Sequence, residues 1–319
     1  MQKFPHKPAE EYEFSGILYE KKDWIAKVTI NRPQVYNAYN TKTLFEMIEA
    51  LQDAEYDDSV GVIVLTGAGN KAFCTGGDVV EYAGEYTKKP RDYWHYIMRA
   101  FGGVVAMLKD CGKPTIARIN GLVAGGGNEL NMACDLAVCA DHATIRQVGV
   151  RVGSVAAGGA TQWLPIMIGE RRAREMLYTC EPISAQQALD WGLVNRVVPY
   201  DQLDDAVNEL AEKILNKFPE CLRYTKTHTN YWKDMVWTAT YPHAADWFAL
   251  HFMSAEVEEG MKSFVEKRPT DYMKLRRLAA EGKSSEYVWG PYSVTCPSCG
   301  AKSLPAEFKH CGMCGAKLS

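Results

Sequence analysis

The chain lacks a strong charge of either sign, a long apolar stretch and the common nucleotide-binding loops. Its net charge is −3 over 319 residues, so no sequence-wide electrostatic case exists for nucleic acid or an anionic membrane. No run of about eighteen apolar residues occurs, so no membrane span is expected. The opening Met-Gln-Lys-Phe-Pro-His-Lys-Pro has no apolar core of a signal peptide. The G-x-G-x-x-G and G-x-x-x-x-G-K-[ST] spacings are absent, and no solenoid repeat is visible. Hydrophobic residues make up 47% and charged residues 24%, which predicts an ordinary globular protein with a sizeable core. Cys74, Cys111, Cys134, Cys139, Cys180 and Cys221 are scattered. In a chain of this length they read as reduced core residues rather than a disulfide framework, and the cytoplasm is the expected compartment.

Alternation of strand and helix patterns predicts an α/β protein. Trp24 to Ile30 is rich in β-formers and ends at Asn31-Arg32-Pro33. Leu44, Met47, Ile48 and Leu51 give helical spacing from Thr41 to Asp53, with Asn40 as N-cap. Val60 to Thr66 is almost wholly apolar, the pattern of a strand covered on both faces. A helix over Arg91 to Lys109, a strand over Pro114 to Asn120, a helix over Gly127 to Cys134 and a strand over Leu136 to Ala140 follow. Beyond Thr161 the chain reads mainly as helices: Arg171 to Thr179, Ser184 to Trp191, Leu203 to Lys217 and Tyr231 to Phe264. A short strand is expected near Val194 to Val198. We therefore expect a catalytic domain over 1–268, a partly helical linker over 269–292 and a separate unit over 293–319.

That last unit carries Cys296-Pro297-Ser298-Cys299-Gly300 and Cys311-Gly312-Met313-Cys314-Gly315. Two residues between thiolates let both reach one ion, and the following glycine permits the tight turn. Two matched knuckles supply the four ligands of a closed structural zinc site, a zinc ribbon, with Cys296, Cys299, Cys311 and Cys314 as the set. A pair of disulfides or a redox pair is the alternative, at odds with a reducing compartment. His310 reads as a bystander.

Two glycine-rich segments follow strands: Ala72-Phe73-Cys74-Thr75-Gly76-Gly77-Asp78, and Asn120-Gly121-Leu122-Val123-Ala124-Gly125-Gly126-Gly127-Asn128-Glu129-Leu130. Either alone is read most simply as a tight turn. Together they offer backbone N–H groups that can converge on one oxygen, an oxyanion hole, at the favourable end of a helix dipole.

These segments resemble the two signatures of the crotonase (enoyl-CoA hydratase/isomerase) superfamily, and the resemblance runs from about Leu18 to Arg268. It includes Asn31-Arg32-Pro33 before Asn37-Ala38, Cys134-Asp135-Leu136, Ala188 to Val194 and Glu259 to Phe264. It implies a fold of repeated ββα units with a C-terminal helical layer, a homotrimer or hexamer, and acyl-CoA substrates with coenzyme A as part of the substrate. By motif position, the oxyanion donors are the amides of Gly77 and Gly126, and Glu129 is the general acid or base. Ala38, Cys74, Thr75, Lys262 and Phe264 are implied along the coenzyme A arm. Asp78, Glu81, Tyr82, Tyr86 and His95 are lesser candidates, each with an ordinary structural alternative.

Hydratases of the superfamily carry a second glutamate, and its position here holds Gly149. Naphthoate synthases and 2-ketocyclohexanecarboxyl-CoA hydrolases carry an aspartate where this chain has Ala156. Gly153-Ser154, Gly158-Gly159-Ala160-Thr161, Cys180-Glu181-Pro182 and Phe218-Pro219-Glu220-Cys221 resemble instead the 6-oxocyclohex-1-ene-1-carbonyl-CoA hydrolases. That subgroup has a longer segment after the position of Val197-Val198-Pro199, and a terminal zinc ribbon is not typical of it. The resemblance implies hydration and hydrolytic ring opening. A hydratase or isomerase for another cyclic or aryl acyl-CoA is the alternative. A non-catalytic scaffold that binds a partner protein through its ribbon is a third.

Overall fold

The apolar runs expected as buried strands form the spine of a six-stranded sheet in the computed structural model, which describes residues 6–318. β1 (Ile17–Lys22) and β2 (Ile25–Ile30) make an antiparallel hairpin. β3 (Val62–Gly67), β4 (Ala72–Cys74), β5 (Thr115–Ile119), β6 (Leu122–Ala124), β7 (Leu136–Ala140), β8 (Thr144–Arg146), β9 (Ile183–Ser184) and β10 (Arg196–Val198) follow. The large sheet has the order β1-β2-β3-β5-β7-β10, parallel from β2 onward. A second sheet has the order β4-β6-β8-β9. The pairs β3/β4, β5/β6 and β7/β8 thus each give their first strand to one sheet and their second to the other, the ββα repeat that the family resemblance implies.

Every residue of β3 and β5 is buried. Alternation along a strand sends successive side chains to opposite faces. Val62, Val64, Ile116, Val138 and Ala140 meet Leu203, Val207 and Ala211 of the helix Leu203–Leu215. Ile63, Leu65, Ala117, Ile119 and Cys139 face the larger core. There they join Leu44, Met47 and Leu51 of the helix Thr41–Tyr56, and Val104, Val105 and Leu108 of the helix Arg99–Asp110. Full burial of one such side chain is worth roughly 1.5–3 kcal/mol, which explains why β3 and β7 read as apolar runs rather than alternating ones. Asn40 caps the first helix by accepting the Thr43 N–H at 2.9 Å.

Two expected helices differ from those observed. The stretch from Tyr231 to Phe264 is two helices, Tyr231–His251 and Ala255–Val265. Ser254 starts the second by accepting the Val257 N–H. The stretch from Arg91 to Lys109 opens with Pro90–Asp92, widens into a π turn over Tyr93–Met98, and becomes regular only at Arg99–Asp110. A helix over Pro219–Thr229 was not expected. In the expected linker, Tyr272–Ala280 is helical and capped by Asp271. Short strands at Tyr292–Val294 and Leu304–Pro305 pair beyond it. No helix among the described residues is long and apolar enough to cross a membrane.

Candidate functional site

The two glycine segments end side by side on the smaller sheet, because β4 pairs with β6. Tyr39 bridges to the first of them. Its N–H donates to the Gly76 carbonyl at 2.9 Å, and its carbonyl accepts the Asp78 N–H at 2.8 Å. This parallel bridge leaves the N–H of Gly77 facing away from Tyr39. In the second segment Gly125, at φ +52°, turns the chain into the helix Gly126–Ala133. Gly126 is the first residue of that helix, so its N–H has no partner within it. A Cβ placed on Gly76 would lie 3.0 Å from the Gly126 nitrogen, a measure of how closely the segments approach.

Both glycines border a cavity of about 880 Å³, together with Ala38, Thr75 and Glu129. Its wall is largely aromatic and aliphatic. Tyr82, Tyr93, Ile97 and Met98 come from the widened turns, Phe101 from the helix after them, and Phe248, Phe252 and Met261 from the helical layer. Tyr93 stacks on Phe252 with ring centroids 3.6 Å apart. Tyr39 stacks on Phe101 at 5.2 Å. The π turns matter here, since an extra residue per turn brings both Tyr93 and Met98 into one wall.

Glu129 is 6% exposed. One turn into its helix, it reaches across to the segment after β8, where its Oε1 accepts the Ala160 N–H at 3.2 Å. Burial pushes its pKa up to about 7, partly offset by the amides of Ala160 and Gly158. Gly158 is required by close approach. A Cβ there would lie 2.2 Å from the Phe101 ring and 2.9 Å from Glu129 Oε2. Gly149 also borders the cavity and brings no acid. A side chain starting there would press on the Val155–Ala156 backbone at 3.0–3.1 Å. Asp78 borders the cavity but is engaged elsewhere: it pairs with Arg32 at 2.9 Å and accepts the N–H groups of Val80 and Glu81. Glu129 is therefore the one carboxylate of the described cavity with no cationic partner.

The remaining candidates separate. Thr75 donates its hydroxyl to the Tyr36 carbonyl at 3.2 Å. Phe264 stands at the cavity mouth and is exposed. Cys74 is fully buried behind the wall, and burial pushes its thiol up to about 12. Lys262 is exposed and does not border the cavity; Arg151 and Lys267 do. Glu81 accepts the Thr41 N–H and so serves the start of another helix. Tyr86 meets the Thr41 hydroxyl at 2.6 Å, and His95 is exposed. Tyr39 and Phe101 are the site residues that the sequence reading passed over, and Gly158 entered it only as part of a family resemblance. They lie on separate elements, and no local spacing joins them.

At the other end of the chain, the Sγ atoms of Cys296, Cys299, Cys311 and Cys314 all lie within 4.8 Å of one another. Cys296 and Cys314 are 3.7 Å apart, as are Cys299 and Cys311. Thiolates around tetrahedral zinc, at about 2.3 Å from the ion, are separated by about 3.8 Å, so this donor set fits that ion. The knuckles match each other. The Gly300 N–H donates to the Cys296 carbonyl and the Gly315 N–H to the Cys311 carbonyl, with both glycines at positive φ.

A family model described as enoyl-CoA hydratase/isomerase matches residues 20–275. An enoyl-CoA hydratase from Bacillus anthracis is 32% identical, with a TM-score of 0.65, over 81% of this chain and 99% of that one. A carnitinyl-CoA hydratase from Mycobacterium avium is 30% identical, with a TM-score of 0.71, over 81% and 98%. An enoyl-CoA hydratase/isomerase from Xanthobacter autotrophicus Py2 is 27% identical, with a TM-score of 0.73, over 84% and 97%.

Proposed function

The chain belongs to the enoyl-CoA hydratase/isomerase family, and from that premise we propose that it hydrates and hydrolytically opens the ring of a 6-oxocyclohex-1-ene-1-carbonyl-CoA-like thioester. The observation that carries the reading is the cavity's single uncompensated carboxylate, Glu129, which shares that cavity with Gly77 and Gly126, with no acid at Gly149. In this reading the thioester oxygen sits between the N–H groups of Gly77 and Gly126, which stabilise the negative charge that develops on it. The apolar wall suits a carbocyclic acyl group. Arg151 and Lys267 at the mouth suit the phosphates of coenzyme A.

Two steps use the same oxyanion site. Glu129 takes a proton from water as the oxygen adds to the ring carbon β to the thioester, and the resulting enolate is protonated at the α carbon. A second water, again deprotonated, attacks the ring ketone. The bond between the ketone carbon and the α carbon then breaks, and its electron pair becomes the thioester enolate. Protonation at the α carbon leaves an open-chain hydroxy acid thioester. The balance is two waters added.

A hydratase for another acyl-CoA is the second reading, favoured by the similarity to the Bacillus and Mycobacterium hydratases. Product mass after incubation with 6-oxocyclohex-1-ene-1-carbonyl-CoA separates the two. Two waters support ring opening, one water supports hydration alone, and none would leave a non-catalytic role. Zinc in the four-thiolate site is part of the proposal: the ion would hold the terminal unit together, and Cys296, Cys299, Cys311 and Cys314 would all be committed to it. Assembly as a trimer or hexamer is supported by the exposed Tyr231, Trp232 and Trp247 and is tested by light scattering on the eluting protein.

A further inference from the structure

We propose that Gln147 determines acyl-group specificity, its side-chain amide pairing with an oxygen substituent, ketone or hydroxyl, on the acyl carbon β to the thioester carbonyl. The inference rests on the acyl-CoA reading above and deepens it.

Gln147 is 0% exposed and borders the cavity. Neither its Oε1 nor its Nε2 has a hydrogen-bond partner among the described residues. A buried primary amide with both ends unpaired is costly, and sites that persist in that state are completed by a ligand or a bound water. Asn128 and Asn131 also carry an unpaired atom each, but they bond to each other at 3.2 Å and do not border the cavity. Arg146 borders the cavity with its Nε unpaired, but among the described residues Gln147 alone has both polar ends of its side chain buried and unpaired.

Its position names the part of the ligand it meets. Ala124 of β6 pairs with Arg146 of β8, and the Gly125 N–H donates to the Arg146 carbonyl at 3.1 Å. Gln147 is the next residue, so it lies beside Gly125 and Gly126, where the thioester oxygen is placed. In the ring thioester proposed above, the ketone and hydroxyl oxygens sit on the two β carbons and are the polar substituents nearest to that point. Nε2 donates to a ketone, and Oε1 accepts from a hydroxyl. One side chain therefore serves both the ring ketone and the hydroxyl that hydration of the double bond adds. An acyl group without that oxygen would leave the amide unpaired, and the penalty falls on the wrong ligand.

The test uses binding, in Glu129→Gln protein so that turnover does not intervene. Dissociation constants are measured by calorimetry for 2-oxocyclohexane-1-carbonyl-CoA and cyclohexane-1-carbonyl-CoA, with and without Gln147→Leu. With Gln147 present, the oxo ester is expected to bind about tenfold or more tightly. Gln147→Leu is expected to bring the two within about twofold while the plain ester keeps its affinity. An unchanged ratio, no initial preference, or equal weakening of both esters would overturn the proposal. Gln147→Met, which keeps the length of the side chain, serves the same comparison if the leucine variant does not fold. Absence of ring opening by the wild-type enzyme would remove the hydrolase reading and leave the binding ratio to judge Gln147.

Discussion

The Ala160 N–H donates to Oε1 of Glu129 across 31 residues of sequence, at 3.2 Å. This bond ties the carboxylate of the second glycine segment to the helix start that follows Gly158-Gly159. The acid is thus positioned by two separate loops. Its burial raises the proton affinity that a general base working near neutrality needs.

Glu129→Gln is expected to lower kcat by about 10²-fold or more while leaving the affinity for a coenzyme A ester nearly intact. In the wild type, kcat/KM should rise with pH through about 7 as Glu129 ionises, and that limb should vanish in the variant. Stability gives an independent reading. The folded pKa lies above the ordinary 4.5, so the folded state holds the proton more tightly than the unfolded state. The stabilisation is fully present below about pH 4.5 and is lost as pH rises to about 7, an effect on the order of 3 kcal/mol. Glu129→Gln should therefore gain stability relative to wild type between pH 4 and pH 8 in chemical denaturation. Near-normal turnover or an unaltered pH limb would take Glu129 out of the mechanism.

Gly158→Ala places a carbon 2.2 Å from the Phe101 ring and 2.9 Å from Glu129 Oε2. Overpacking of this kind costs about 1–3 kcal/mol, and here it also displaces the carboxylate. Both the melting temperature and kcat should fall. Pairing it with Phe101→Leu should restore stability more than activity. Wild-type activity in the single variant would show that the loop carries no positional constraint.

Gly126→Pro removes one N–H from the proposed oxyanion site. Proline is tolerated at the first position of a helix, but the Tyr39 hydroxyl lies 2.0 Å from where its Cβ would be. The substitution is therefore made together with Tyr39→Phe and compared with Tyr39→Phe alone. Turnover should drop by about 10²–10³-fold, the effect of losing one oxyanion donor. An active, folded double variant would assign the thioester oxygen to another place.

Zinc analysis of purified protein should return one ion per chain, and none after Cys296→Ser together with Cys311→Ser. A unit of this size buries too little apolar surface to fold by itself, so the metal would supply its folding free energy. Truncation before Tyr292 should leave acyl-CoA turnover largely unchanged, because no described residue beyond that point borders the cavity. Metal-free wild-type protein would remove the ribbon assignment. Loss of turnover in a truncated protein of native assembly would show that the ribbon shapes the active site.

Much of this architecture can be read from the chain, for an identifiable reason. β3 is buried on both faces, so its continuous apolar run betrays it, whereas β5 carries Thr115 and Arg118 and is marked by its β-branched residues. The glycine segments stand out because close backbone approach excludes other residues. The strands β4, β6 and β8 are three residues each, too short for a period to show, and two of them hide inside the glycine segments. The break between His251 and Ala255 is equally hidden, because apolar residues continue through Phe252 and Met253 without glycine or proline. The cavity wall was the least legible part. Tyr39, Phe101, Phe252 and Gln147 are each ordinary residues in their own segments, and only tertiary packing makes them neighbours. Lys262 shows the converse: it fits a motif position, yet Lys267 borders the cavity.

The distribution of successive strands between two sheets has a kinetic consequence. β3, β5 and β7 belong to one sheet, and β4, β6 and β8, which alternate with them along the chain, belong to the other. Neither sheet can be completed before the other is nearly complete, because each connection that closes one also lays down a strand of its neighbour. The chain from Val62 to Arg146 should therefore commit in a single concerted step that depends on distant pairings, and should fold slowly for its size. A nick or deletion within this stretch would strip strands from both sheets at once, leaving no half-structured core able to persist.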